Sequence, residues 1–528
     1  MVSLDVAKSL LAAPLKYDTP SERDQLAYHP LHRFALESTR QYQQQFADMY
    51  FLRLAKIKPA VDQVAADIFD DVVVGGAHAR KVDRVLDVRQ GELCWVSGTV
   101  YMDMPYKPNI LDDVSKDKLL SKPEAVRKYV PEDDDDVLAE GRGSVAILLE
   151  DDSGRIRLVG RALRTVLLVT GCIVAVMGTE NEDGELEVLD IVFPDLPPQP
   201  ARWALTNDAE PLAKRSKIED VDMDVDGSGH RNGASQDGKK IAIVSGLNFS
   251  GPHAAAAVET NLLLEFLLGE TVATGDAVHI SRLIVAGNSI VASDSPEAAN
   301  AQADTAKTAA TTEALNKKYG YDSSSYNPQP SRRLDAFLGE LLPSMPVTLL
   351  PGVHDIANAS IPQQPIHSAM FPKARVYTSA TAGAAKTNKA AGGGGGWFDP
   401  VTNPWEGEVE GWRMLGTSGQ TLDDIAKYVQ GDDRLSMMEA TCRWRCCAPT
   451  APDTLWSYPY QEDDPFVLDS CPHVYFAGSQ PEFGTRVITG PEGQTVRLVA
   501  IPAFSETREI VLLDTETLGV SVVKIGKE

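Results

Sequence analysis

The stretch "PVTLLPGVHDIAN", residues 346–358, decides how the second half of this chain folds. A short apolar run ends in a Pro-Gly turn, and the turn delivers His354 and Asp355. A run of this kind, bounded by turn residues, reads as a fully buried strand. The same pattern stands twice upstream, in "KIAIVSGL" (240–247) and "ISRLIVAGNSI" (280–290). Between the three runs lie "HAAAAVETNLLLEFLLGE" (253–270) and "RRLDAFLGELLPS" (332–344), both long enough for helices. Strand–helix–strand–helix–strand predicts parallel pairing with right-handed crossovers. Further on, "TVRLVAIPAF" (495–504), "EIVLLDT" (509–515) and "GVSVVKI" (519–525) predict a β-meander.

Upstream the pattern is different. Residues 85–196 hold five short β-branched runs separated by Gly and Asp turns: "GELCWVSGTVYM", "GSVAILLED", "GRIRLVG", "GCIVAVMGTE" and "GELEVLDIVF". Five such strands fit a small barrel such as an OB-fold. Before them, residues 38–58 predict a helix capped by Ser38 or Thr39 and ended with the help of Pro59. Its apolar face would be Tyr42, Phe46, Met49 and Tyr50. Residues 205–240 are polar, charged and nearly free of aromatics, the composition of a disordered linker. Within it Lys214, Arg215 and Lys217 form a candidate nuclear import signal. This predicts domains at 1–204 and 241–528 joined by a linker at 205–240, with insertions at about 293–329 and 379–396. The second insertion ends in five glycines but lacks the Lys-Ser/Thr of a phosphate loop, so a flexible loop is expected.

Composition narrows the function. The 528 residues carry 50 Lys/Arg against 75 Asp/Glu, a net charge of −25. Such a surface repels phosphate backbones and suits a basic protein partner. Six Cys in this length make no disulfide framework and point to a reducing compartment. Cys442 and Cys446 form one hook without a second, so buried thiols are expected rather than a zinc site. The carboxylates of "EDDDD" (132–136) lack the spaced Gly and closing Glu of a calcium loop. The N-terminus does not read as a signal peptide, and no run of about 18 apolar residues appears, so no membrane span is expected.

Six long motifs in order carry a family resemblance: "RQYQQQFADMYFLRLAKIKP" (40–59), "GELCWVSGTVYMDMPYKPNILDDV" (91–114), "VSGLNFSG" (244–251), "LLPGVHDIANASIPQQPIH" (349–367), "NPWEGEVEGWRMLGTSGQTLDDI" (403–425) and "CPHVYFAGSQPEFGTR" (471–486). The chain resembles the B-family accessory subunits of replicative DNA polymerases, most closely that of polymerase delta. The resemblance implies an α+β multidomain fold. An OB-fold β-barrel with an N-terminal helix would precede a calcineurin-like metallophosphoesterase α/β domain that lacks its metal ligands. It also implies two partners, the C-terminal region of the polymerase delta catalytic subunit and the N-terminal domain of a third regulatory subunit. DNA would be met only through the complex, in the nucleus, with no cofactor of the chain's own.

Position by position, the phosphoesterase ligands are missing. A two-metal site needs carboxylates, imidazoles and an Asn to hold its cations and make a hydroxide. The Asp-x-His motif falls on Gly246 and Asn248, and the bridging Asp on Asn288. The Asn of Gly-Asn-His falls on Val353, with His354 remaining, and Gly-His-x-His gives Ser479 and Pro481. One lone imidazole does not hold two divalent cations, so His354 is expected to be structural. Trp405 and Trp412, in a Gly- and Pro-containing segment, are candidate interface residues because large aromatics are frequent hot spots. Two alternatives differ in class. A metallophosphoesterase keeps the fold and lacks the ligands. A single-strand DNA binder needs aromatics and a basic groove, yet residues 85–200 hold 12 Lys/Arg against 23 Asp/Glu, with aromatics sparse.

Overall fold

The structure, a computed structural model, describes residues 23–37, 40, 46–107, 128–130, 145–204, 238–249, 255–270, 277–290, 328–378 and 396–526. Tyr42, the import-signal residues Lys214, Arg215 and Lys217, and the cluster at 132–136 lie outside them.

The chain begins with a strap. Strand β1 (Tyr28–Leu31) is an edge strand of a sheet whose other members come from the last quarter of the sequence. Helix α1 (Ala47–Phe69) follows and runs through Pro59, where the sequence had suggested an end. Proline removes one N–H and therefore one helical bond. The packing of Ile57, Val61, Ala65 and Phe69, all buried at four-residue spacing, outweighs that loss. The buried face also corrects the expected one: Met49 is on it, but Phe46 is exposed and Arg53 takes an inward position.

Three two-residue strands, β2 (Val73–Val74), β3 (Ala77–His78) and β4 (Arg80–Lys81), lead to the barrel. Its strands are β5 (Leu93–Asp103), β6 (Ala146–Glu150), β7 (Arg155–Val159), β8 (Ile173–Glu180) and β9 (Glu185–Val192). Long β5 pairs with β8 over its first half and with β6 over its second, which closes the sheet on itself. The switch occurs at Gly98–Thr99, where a Cβ on Gly98 would lie 2.6 Å from the Glu150 carbonyl oxygen. Glycine there allows the close strand approach.

Two six-stranded sheets form the rest. One has the order β13-β12-β11-β10-β19-β20. Its parallel part is β10 (Lys240–Val244), β11 (Ile280–Ala286), β12 (Val347–Leu350) and β13 (Phe398–Pro400), connected in part by α2 (Ala255–Leu268) and α3 (Gln329–Leu341). The other has the order β1-β14-β15-β16-β18-β17. It holds β14 (Trp405–Val409), β15 (Trp412–Thr417), β16 (Val474–Gln480), β17 (Gly484–Thr489) and β18 (Thr495–Pro502). Helices α4 (Gln420–Tyr428) and α5 (Arg434–Arg443) follow β15. The C-terminal runs are therefore no meander. After β18 a short helical turn, Phe504–Thr507, carries the chain to the other sheet, where only β19 (Glu509–Asp514) and β20 (Val520–Lys524) form a hairpin. Arg508 in the left-handed region makes that turn.

The inner faces of the two sheets share one core: Ile241, Ile243, Ile284 and Leu350 from the first meet Trp405, Phe476, Val499 and Ile501 from the second. Each such fully buried aliphatic side chain contributes about 2 kcal/mol. A second cluster lies under α2 and α3, with Leu263, Leu267, Leu334 and Leu338. A third is continuous from the barrel and α1 to α4 and α5, so barrel and sheets are packed as neighbours rather than tethered.

Candidate functional site in the strand-end cleft

Four loops meet where β10, β11, β12 and β16 end, the usual place for a ligand in an open α/β sheet. These loops carry the seven positions singled out by sequence. Gly246 has φ +63 and Gly287 has φ +80, and a Cβ on Gly287 would overlap that of Ser418. Gly352 and Gly478 are held by close approach instead, the first against Asn288 and the second against the Ala286 carbonyl. Three of those seven residues, Asn248, Asn288 and Ser479, take left-handed conformations with φ 48, 52 and 54. Asn tolerates that region because its short amide bonds locally.

The loops are knitted together by neutral groups. The Asn288 side-chain amide donates to Ser479 Oγ (2.8 Å), and Asn288 Oδ1 accepts the His354 backbone N–H (3.2 Å). Ser245 Oγ donates to the Ala286 carbonyl (2.6 Å) and accepts the Ser479 N–H (2.9 Å). Asn248 donates to Ser505 Oγ (2.7 Å). Val353, His354 and Pro481 are exposed at the rim. Desolvation by the neighbouring protein pushes the pKa of the His354 imidazole below its ordinary value. Among the described residues no group of three or more His, Cys, Asp or Glu side chains could hold a metal ion. Hydroxyls and amides of this kind do not fit a two-cation phosphoesterase centre, which needs anionic bridging ligands.

The structural residue of this loop is Asp355, one position beyond the histidine that drew attention in the sequence. Its carboxylate is 7% exposed and accepts the backbone N–H groups of Ser289 (2.9 Å), Ile290 (3.0 Å) and Gly352 (2.8 Å). Burial raises its pKa to about 6, against the downward pull of those N–H donors. Asp355 thus ties the loop after β12 to the loop after β11. Asn403 performs a similar task beneath the cleft, where its side-chain NH2 lies within hydrogen-bond distance of Gln363 Oε1 (2.9 Å), Ser418 Oγ (2.6 Å) and Gln420 Oε1 (2.7 Å). Sequence reading missed both. The available signal was a polar residue within a few positions of a Pro or Gly, near the end of an apolar run, where a turn must satisfy its own N–H groups.

The two candidate interface tryptophans differ in exposure. Trp405 is 1% exposed, its ring between Tyr28 (6.5 Å) and Phe476 (6.0 Å), and has no surface to offer. Trp412 is half-buried; its Nε1 donates to the Thr515 carbonyl (2.6 Å) and the Arg202 guanidinium lies 4.3 Å over its ring. The six cysteines are free and buried. Desolvation pushes the Cys446 thiol up to about 11 and that of Cys471 to about 12, so neither is a ready thiolate. No helix among the described residues is long and apolar enough to cross a membrane.

Comparison with known proteins agrees with this architecture. Residues 45–191 match the family model of the DNA polymerase delta subunit OB-fold domain, and residues 241–485 match that of the B-type subunit of DNA polymerase alpha/epsilon. The chain is 33% identical to the DNA polymerase delta small subunit of Saccharomyces cerevisiae, over 92% of this chain and 90% of that one. It is 32% identical to the small subunit of Oryza sativa subsp. japonica, over 96% and 99%. DNA polymerase delta subunit 2 of Drosophila melanogaster is 31% identical over 92% and 94%. Whole-length likeness to several such proteins, on a barrel followed by two packed sheets, means that the chain belongs to the DNA polymerase delta small-subunit family.

Proposed function

We propose that this accessory subunit of DNA polymerase delta is a scaffold with no chemistry of its own. Its second domain, 241–528, would be a metallophosphoesterase fold that has lost its ligands. The observation that carries the reading is the strand-end cleft: the compared positions hold Gly246, Asn248, Asn288, Val353, Ser479 and Pro481, with Asn288 bonded to Ser479 and Asn248 to Ser505. A cleft closed by its own hydrogen bonds frees the surrounding loops to bind protein. The barrel domain, 1–204, and the second domain are joined by the 205–240 segment, and also by the strap of residues 23–37, which adds β1 to the second domain's sheet. The partners would be the C-terminal region of the catalytic subunit and the N-terminal domain of a third subunit, in the nucleus, with DNA met only through the assembly.

The purified chain, given manganese and generic phosphomonoesters or phosphodiesters, is expected to release no phosphate and to hold no stoichiometric metal. Bound metal that disappears on His354→Ala would overturn the inert-cleft reading. The scaffold reading is checked separately by size-exclusion chromatography. Co-elution with the catalytic subunit's C-terminal region at micromolar concentration is expected, and separate elution at low salt contradicts it.

A further inference from the structure

We propose that the parts of the chain before and after residues 205–237 bind each other as two subunits would, and stay assembled without the covalent link between them. The inference concerns the chain's own two parts and does not depend on the scaffold reading above. Residues 205–237 lie outside the described residues, but those on either side of them are described.

The hairpin of β14 and β15 turns at Glu410 and Gly411, with φ 49 and 79. Both turn residues are left-handed, as a two-residue hairpin loop favours. Three passages of chain meet on this tip. Before residue 205, the Trp203 N–H donates to the Gly411 carbonyl (3.0 Å) and Arg202 Nε to the Glu410 carbonyl (3.2 Å). After residue 237, Lys239 Nζ donates to Glu410 Oε1 (3.1 Å). From the strap, the Ala27 N–H donates to the same carboxylate oxygen (2.8 Å), and the Ala27 carbonyl accepts the Glu410 N–H (2.9 Å). Thr515 brings the first two passages together again. Its carbonyl accepts Arg202 Nη2 (3.3 Å), and its N–H donates to the Lys239 carbonyl (2.9 Å). The main chain therefore leaves and re-enters at one spot, and residues 205–237 bridge no separation in the fold.

What holds the two parts together is non-covalent and largely buried. The strap supplies β1, which pairs with β14 from Tyr28–Val409 to Leu31–Glu406. The Tyr28 ring lies beside Trp405 (6.5 Å), with the Arg282 guanidinium over it (3.6 Å). Helix α1 supplies Arg53, buried against Asp464. At the exit from the barrel, the Pro198 carbonyl accepts the Cys471 N–H (3.0 Å), and Gln199 Nε2 donates to the Thr495 carbonyl (2.6 Å). Barrel, α1, α4 and α5 share one apolar cluster. A single core divided between two pieces is the anatomy of an obligate subunit interface. The N-terminal part also covers the edge of β14, which would otherwise present unpaired N–H and C=O groups.

The test uses the full chain with the recognition sequence of a specific protease in place of residues 226–232. The purified chain is cut and compared with the uncut one at about 1 and 20 µM. The two pieces are expected to co-elute at the size of the uncut chain and to unfold in a single transition. Cutting replaces a millimolar effective concentration by a micromolar real one. The melting temperature should therefore fall by about 5 °C and come to depend on protein concentration. Arg202→Ala should raise the dissociation constant of the cut pieces about tenfold. Separate elution of the pieces, precipitation of the cut chain alone, or two unfolding transitions in the uncut chain overturns the inference. An Arg202→Ala variant whose cut pieces bind as tightly as the parent's overturns the role of the Glu410 tip. Partner binding by the uncut chain is a separate measurement, so each of these results leaves the scaffold reading standing.

Discussion

Asp355→Ala lowers the unfolding free energy by about 4 kcal/mol in denaturant titrations, one of the two largest single-residue effects expected in this chain. The reason is local. Asp355 is the acceptor for the N–H groups of Ser289, Ile290 and Gly352, and all of them lie in buried loops. Each buried donor left without an acceptor costs roughly 1–3 kcal/mol. Asp355→Asn keeps one oxygen but turns an NH2 toward N–H donors, so it should lose more than half as much. The pH dependence has a definite sign. The folded pKa, about 6, lies above the ordinary value of 3.8. The folded state therefore binds a proton that the unfolded state has released, and this group's contribution is greatest at low pH. It is lost as pH rises through about 6. From pH 5 to pH 7 the parent should lose about 1.3 kcal/mol relative to Asp355→Asn, which does not titrate. A pH-independent difference between the two, or an Ala variant as stable as the parent, contradicts the tie between the β11 and β12 loops.

Much of the fold was readable because period and punctuation agreed with it. The runs at 240–247, 280–290 and 346–350 became the parallel strands β10, β11 and β12, and the five upstream runs became β5 to β9 of the barrel. Apolar runs between glycines leave few other solutions. What failed were readings that depend on partners far away in sequence. Pro59 did not end α1, because the gain from burying Val61, Ala65 and Phe69 is made against the barrel, which no local pattern reveals. The supposed meander at 495–525 splits between two sheets, and the reason lies in the four-residue turn at Phe504–Thr507. The strap at 28–31 was not visible at all, since its pairing partner is nearly 380 residues away. In the cleft, motif comparison singled out residues on the loops that follow β10, β11, β12 and β16. It pointed at His354, an exposed residue, because catalytic motifs are built from ligands. The architecture instead rests on Asp355, whose role appears only when three backbone N–H groups converge on it.

Breaking the Arg53–Asp464 pair should cost as much as losing Asp355. The two charges are 4% and 0% exposed and meet at 2.8 Å, joining α1 to the loop that carries Trp456. Arg53 Nη1 also donates to the carbonyls of Pro449 and Ala451, both at 2.8 Å, and Asp464 Oδ1 accepts the Phe466 N–H (3.0 Å). Burial alone would lower the Arg53 pKa, but the carboxylate beside it raises it, and the net direction is upward. Arg53→Ala removes the cation and leaves Asp464 charged and dry, for which about 4 kcal/mol is expected. Arg53→Lys keeps the charge but not the fork that reaches three acceptors, so its loss should be intermediate. Combining Arg53→Met with Asp464→Leu should cost less than the sum of the single changes, with a coupling of about 2 kcal/mol in a double-mutant cycle. Additive losses would show that the two residues act separately. Because the pair is buried, raising the salt should change none of these differences much, in contrast to the exposed Lys56–Asp463 pair one turn away on α1.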